Sequence, residues 1–191
     1  MNKRLSTIEL SKENMSFSAG HFVILSSEKR ENLHGHHYQV SVALDTEIDE
    51  TGLSFDHRIY ENKIASFCRL LDPVFLIPAR SPYLIIRAEG LGYYISFHDE
   101  TFFLLKRDIK LLPLSNITFE ELAYYFLSQV LEDHALLLSH KIQSILIKVF
   151  SGPGQSGSAR WQNECLPEVR LHEMKESDEV KCNDKREVEC Q

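Results

Sequence analysis

Residues 34–46 alternate between apolar and polar side chains in a way that only an extended strand satisfies. His34, His36, Tyr38, Val40, Val42 and Leu44 fall on one side, and His37, Gln39, Ser41, Ala43 and Asp45 on the other. Successive side chains of a strand point to opposite faces, so the two imidazoles of His34 and His36 aim at one point. Gly35 between them leaves room for a neighbouring backbone. His21, thirteen residues upstream in Ser-Phe-Ser-Ala-Gly-His, reads as the end of an adjacent strand able to bring in a third imidazole. Three neutral imidazoles with one position left open describe a catalytic zinc site rather than a closed structural one. His37 is expected to face away and not to ligate. The competing reading is a set of scattered surface histidines, and a His-x-His pair alone does not exclude it.

The 191 residues, 43% of them hydrophobic, suffice for one good-sized core. A formal charge of −7 argues against an unspecific nucleic-acid binder, which needs a surplus of Lys and Arg. No apolar run is long enough for a membrane helix, and MNKRLSTIEL contains no apolar signal core, so no membrane association and a cytoplasmic location are expected. Cys68, Cys165, Cys182 and Cys190 show no short metal-ligand spacing and are expected as reduced thiols.

Residues 5–11 and 15–25 alternate like strands and could form a hairpin over Lys12-Glu13-Asn14. Helical spacing places a first helix over 57–71 and a second over 117–132, with Ser115-Asn116 as the start signal of the latter. Between them, residues 77–113 read as an inserted β-meander, with strands at 83–88, 92–97 and 101–106. Such an insertion either shapes the pocket or oligomer edge, or only decorates the surface. A final strand covers 145–150, and Ser151-Gly-Pro-Gly-Gln-Ser-Gly157 lacks the Lys-Ser/Thr of a phosphate loop, so it reads as a tight turn near the pocket. The domain is expected to span 1–163, followed by a polar, disordered tail over 164–191.

Phe17-Ser-Ala-Gly-His21 followed by Leu33-His-Gly-His-His-Tyr38 resembles the signature of the 6-pyruvoyl/6-carboxytetrahydropterin synthase family. Gly52-Leu-Ser-Phe-Asp56, Leu71-Asp-Pro-Val-Phe-Leu76 and Thr118-Phe-Glu-Glu-Leu-Ala123 extend the likeness, which covers roughly residues 5–162. The resemblance implies an α+β tunnelling-type fold: a four-stranded antiparallel sheet with two helices on one face. It also implies subunits joined as a homo-oligomer, a hexamer as first expectation. The implied function is that of a zinc-dependent lyase or synthase working on the side chain of a reduced pterin such as 7,8-dihydroneopterin triphosphate. Zn2+ would be held by His21, His34 and His36, and Thr118 and Glu120 would reach the substrate.

Three departures from the family pattern qualify this. The usual cysteine base is absent from residues 22–33, but Glu31 forms Glu-x-x-His-Gly-His. That pattern resembles the subgroup in which glutamate replaces the cysteine and the side chain of dihydroneopterin is cleaved. Glu31 is thus a candidate base, and equally one charge among Glu28, Lys29 and Arg30. The family's Asp-His dyad keeps its acid as Asp72, a candidate catalytic residue, while Pro73 replaces the imidazole. Asp56-His57 reads instead as a helix cap with an exposed ring. The glutamate that clamps the pterin at the end of the last strand is replaced by Ser151, whose hydroxyl offers a weaker substrate contact. Two alternatives remain: a homologue that keeps zinc but has changed substrate or lost pterin turnover, and a non-catalytic zinc-binding assembly protein.

Overall fold

The 15-residue strand β3 (His34–Ile48) is the axis of the structure, a computed structural model that describes residues 4–163. β1 (Arg4–Leu10) and β2 (Ser16–His21) both run antiparallel to it, one after the other along its length. The expected hairpin between them therefore does not form. β1 takes the register Leu10↔Val42 and β2 takes Ser16↔Gln39, so each finds its partner in β3. A strand this long has room for both, and the alternation that marks them as strands says nothing about which edge they join.

The first helix, α1 (Arg58–Leu70), follows β3 within a residue or two of its expected bounds. Its entry is held by Asp56, whose carboxylate accepts from the Arg58 backbone N–H at 3.1 Å and from the Arg58 side chain, while the His57 ring makes no cap bond. Next come β4 (Val74–Pro78), β5 (Leu84–Glu89), β6 (Gly92–Phe97), β7 (Glu100–Leu105) and β8 (Ile109–Leu112). The second helix, α2 (Phe119–Leu131), starts later than Ser115-Asn116 suggests. Thr118 is its cap, its hydroxyl accepting from the Glu121 N–H at 3.3 Å. Asn116 instead ties the helix entry to the segment after His21, accepting from the Ile24 N–H at 3.0 Å and donating to the Ile24 carbonyl at 2.8 Å. A short α3 (His134–Ser139) precedes β9 (Ile142–Phe150), and β10 (Ser156–Gln162) follows it.

The main sheet is larger than four antiparallel strands. Seven strands join in the order β10-β9-β3-β2-β4-β8, with β1 on the free length of β3, and the pairs β2–β4 and β4–β8 are parallel. The expected insertion at 77–113 is not all meander, since β8 and the end of β4 lie within it and belong to the main sheet. Only β5, β6 and β7 form the separate antiparallel meander. Both long helices cover one face of the main sheet. Tyr60, Ile64 and Cys68 of α1 and Leu122, Ala123 and Phe126 of α2 pack with Val40, Val42, Ile145 and Ile147 in a single buried cluster. Burial pushes the Cys68 thiol up to about 12, so it sits there as a small apolar group. The other three cysteines and the expected tail at 164–191 lie outside the described residues.

A second buried cluster joins the meander to the rest. Ile95 and Phe97 of β6 meet Phe22, Ile24, Ile77 and Ile109, with Phe75 and Phe102 packed at its margin. Phe22 and Ile24 belong to the segment immediately after His21. The meander is therefore packed against the chain leading away from the histidines.

β10 escapes sequence reading because its inward residues, Gly157 and Ala159, are small. The reason is contact with α2. A Cβ built on Gly157 would lie 2.3 Å from the Glu120 backbone nitrogen and 2.4 Å from the Phe119 carbonyl carbon. Backbone cannot rotate out of the way, so Gly157→Ala is expected to destabilise the fold by about 1–3 kcal/mol, the usual cost of overpacking. A denaturant midpoint unchanged by this substitution would count against the contact.

Candidate metal and substrate site

The register between β2 and β3 assembles the histidines. His21 lies directly opposite His34, and Ala19 opposite His36, so His21 ends its strand facing the two imidazoles that begin the next. Gly20 and Gly35 form the pair between them, and the Gly35 Cα lies close enough that an added Cβ would stand 3.3 Å from the Ala19 carbonyl oxygen. The strands can approach there because neither residue carries a side chain. Ring centroids are 4.4 Å apart for His21–His34, 5.2 Å for His21–His36 and 4.9 Å for His34–His36. One nitrogen from each ring lies within 4.8 Å of the other two.

Hydrogen bonds select which nitrogen that is. His21 Nδ1 donates to the Ile117 carbonyl at 3.0 Å, and His34 Nδ1 donates to the Asn32 carbonyl at 2.8 Å. A carbonyl can only accept, so both rings carry their proton on Nδ1 and present a bare Nε2. His36 Nδ1 lies 3.3 Å from Ser151 Oγ, which leaves its Nε2 facing inward as well. The Nε2 atoms of His34 and His36 are 3.2 Å apart, a repulsive arrangement for two lone pairs unless a proton or cation lies between them. His21 Nε2 is buried with no hydrogen-bond partner, the only such side-chain atom among the described residues. An orphaned buried acceptor carries a desolvation cost that a metal ion would remove. The donor set therefore fits a divalent metal that takes nitrogen ligands.

Burial favours the neutral form of the His21 and His36 rings. Burial, reinforced by His34 and His36 and partly opposed by the bond to Ile117, pushes His21 down to about 4. His36 is lowered too, first by burial and then by His34, with Glu31 acting the other way. Burial and the Glu31 charge raise the Tyr38 hydroxyl above its ordinary range, so it stays protonated. For His21 the folded value lies below the unfolded one near 6.5. The unfolded chain therefore binds more protons between about pH 6.5 and 4, and stability rises with pH across that window. Metal-free protein is expected to lose stability as pH falls from 6.5 towards 4, and His21→Ala to flatten that decline. Denaturant titrations at several pH values compare the two.

The imidazoles form the floor of a cavity of ≈ 460 Å³. Of the residues singled out from the sequence, Glu31, Thr118 and Glu120 line it together with the three histidines. Glu31 Oε2 stands 3.8 Å from His34 Nε2, so a carboxylate borders the point where the nitrogens converge. No Lys or Arg is among the lining residues. Ser151 is not a wall residue. Its hydroxyl is engaged behind His36.

Asp72 lies elsewhere in the chain. It turns the chain into β4, and its carboxylate accepts from the Ser18 N–H at 2.6 Å. Ser18 Oγ contacts His37 Nδ1 at 3.1 Å, on the outward side of β2 and β3, as alternation predicts for His37. Pro73 faces a different groove, of ≈ 480 Å³, bounded by Ser18, Gly35 and Phe75. Sequence reasoning missed Tyr38 and Phe119 as walls of the cavity and placed the 151–157 turn near the pocket without naming Gln155 and Ser156, which line it. Tyr38 shares the histidine face by alternation and could have been found. The others reach the site only through the β9–β10 turn and the docking of α2.

Known proteins resemble this chain in sequence and in fold. A Methanocaldococcus jannaschii protein provisionally named 6-carboxy-5,6,7,8-tetrahydropterin synthase is 24% identical over 147 residues, 76% of this chain and 90% of that protein. A Pyrococcus abyssi protein of the same provisional name is 25% identical over 138 residues, 72% of this chain and 80% of that one. The solved 6-pyruvoyl tetrahydropterin synthase of Plasmodium falciparum superposes with a TM-score of 0.79 at 28% identity, covering 85% of this chain and 100% of its own. Two structures of the Plasmodium vivax enzyme, in which cysteine or alanine replaces a catalytic glutamate, superpose equally well at 26% identity, covering 84% of this chain and 99% of theirs. The sequence model of the family described as 6-pyruvoyl tetrahydropterin synthase matches residues 9–178, and on that match the chain belongs to this family.

Proposed function

We propose that this protein is a zinc-dependent lyase that cleaves or rearranges the side chain of a reduced pterin, with 7,8-dihydroneopterin or its triphosphate as substrate. Members of the family are lyases acting on pterins. The observation that carries the reading is the carboxylate of Glu31 at 3.8 Å from His34 Nε2, on the rim of the three-histidine cluster. In the Plasmodium vivax relative a catalytic residue is likewise a glutamate. His21, His34 and His36 would hold the ion, and when bound it would supply Lewis-acid polarisation of a substrate oxygen.

The chain's own groups do the rest. Glu31 accepts a proton from the pterin side chain, since it is the lining carboxylate beside the ligand nitrogens. Glu120 and Thr118, at the start of α2, face the same cavity and hydrogen-bond the pterin. A carboxylate such as Glu120 suits a ring edge that presents two N–H donors side by side. Phe119 and Tyr38 provide apolar walls that limit water around the reacting carbons. Asp72 would act on a reacting group only in a neighbouring subunit, since in its own protomer it caps Ser18. The open edges β8 and β10 of the main sheet are where such a homo-oligomer, a hexamer by family likeness, would add strands.

Anaerobic incubation of zinc-loaded protein with dihydroneopterin and with its triphosphate, read by product mass, tests the proposal. Loss of a two-carbon fragment from the C6 side chain of either substrate, or elimination of the triphosphate with the carbons retained, supports it, and an unchanged mass for both removes it. One observation favours a second reading, a family member with an altered substrate: Ser151 stands where the clamp carboxylate belongs, and its hydroxyl is taken up by His36.

The same contact gives Ser151 a role behind the metal ligands. Ser151→Ala is expected to weaken metal retention about 10–100-fold, the usual effect of removing the partner that orients a ligating imidazole. Competition against a chelator measures this, and equal affinities would show that the hydroxyl does not orient His36.

A further inference from the structure

We infer that Arg30, gripped by the inserted meander, is a positioning residue for Glu31, an inference that rests on the reading of Glu31 as the base. Its guanidinium reaches two elements far apart in sequence. Nε donates to Glu100 Oε2 at 2.7 Å, Nη2 pairs with the same carboxylate, and Nη1 donates to the Glu31 carbonyl at 2.8 Å. The guanidinium carbon lies 5.3 Å from the Phe22 ring centroid and 5.6 Å from that of Phe102. Phe22 is buried in the segment after His21, and Phe102 and Glu100 belong to β7 of the meander. The Arg30 side chain is only 17% exposed, although it sits in a polar loop.

These contacts fix the peptide on both sides of the Glu31 Cα. The Glu31 N–H donates to the Val23 carbonyl at 2.8 Å, and its carbonyl accepts from Arg30. One residue later, the Asn32 carbonyl accepts from His34 Nδ1. The backbone carrying the carboxylate is thus tied to β2's continuation, to the meander and to a metal-ligating ring. Lysine cannot replace this arrangement, because only a planar fork can serve a carboxylate and a carbonyl from different nitrogens at once. A shift of about 1 Å at a reacting group costs on the order of 10² in rate, so a loosened Glu31 loses turnover without losing metal.

The test compares Arg30→Met, Arg30→Lys and Glu100→Gln, each alone and combined with Glu31→Gln, for kcat, KM, bound zinc and amide hydrogen exchange at Glu31. Glu100 is half-exposed, so its variant keeps the fold even where Arg30→Met does not. The expected result is kcat lowered about 10-fold or more by Arg30→Met, about 3-fold or more by Glu100→Gln, and no rescue by lysine. KM and zinc stoichiometry stay unchanged, and the Glu31 amide exchanges faster. On the Glu31→Gln background each change adds less than about 2-fold, because the group being positioned is already gone. Effects that multiply across the two backgrounds, or zinc lost in parallel, overturn the inference. Slow turnover by Glu31→Gln with normal turnover by both Arg30 variants and by Glu100→Gln overturns it alone. Normal turnover by Glu31→Gln overturns it together with the reading on which it rests.

Discussion

His34→Ala is expected to abolish stoichiometric metal binding and, with it, pterin turnover. His34 is the pivot of the cluster, 4.4 Å from the His21 ring and 4.9 Å from the His36 ring, and its Nε2 stands 3.8 Å from Glu31. Removing one of three nitrogen ligands leaves two, too few to hold a catalytic zinc tightly in competition with water. Half of the His34 side chain or more is already shielded, but it is not part of the main core, so the variant is expected to fold. Metal analysis after gel filtration decides the point. Full stoichiometric zinc in this variant would remove His34 from the ligand set and with it the proposed centre.

Glu31→Gln is expected to retain zinc and fold while turning pterin over about 10² times more slowly or worse, the typical contribution of a general base. Glutamine keeps the length and planarity of the side chain and loses the negative charge and with it the ability to take a proton. The substitution therefore separates chemistry from placement. Steady-state rates with dihydroneopterin, alongside zinc content, provide the measurement. Normal turnover would leave Glu31 as one more loop charge beside Glu28 and Lys29 and would move the search for the base to Asp72 across a subunit boundary.

The two variants draw on different kinds of legibility. The histidine cluster is readable in the sequence because it depends on a local rule. Residues two apart on a strand share a face, and the strand character of 34–46 is written in its alternation. Glu31 is nominated by its spacing to His34, but spacing leaves a loop charge equally open. What bears on the two readings physically is distance, 3.8 Å from its carboxylate to His34 Nε2, and that depends on how the loop is tied down. Ser151, read as a substrate contact, has its hydroxyl 3.3 Å from His36 Nδ1, because the turn after β9 passes next to β3.

Residue pattern was enough for the elements that satisfy their own periodicity: β3 with its inward histidines, α1 and α2 with their apolar faces, and the three strands of the meander. The motifs also pointed to the family. Folding in three dimensions was needed for β1 and β2 to share β3, for β4 and β8 to widen the sheet in parallel, and for β10 to exist at all. It brought Glu100 to Arg30 across 70 residues and set Asp72 against Ser18 across 54. The physical reason is common to all of these. Local periodicity is set by the geometry of one strand or helix, whereas pairing between distant segments is chosen by which surfaces fit. At Gly157 against the Glu120 backbone, that fit rests on the absence of a side chain, which no hydrophobic pattern records.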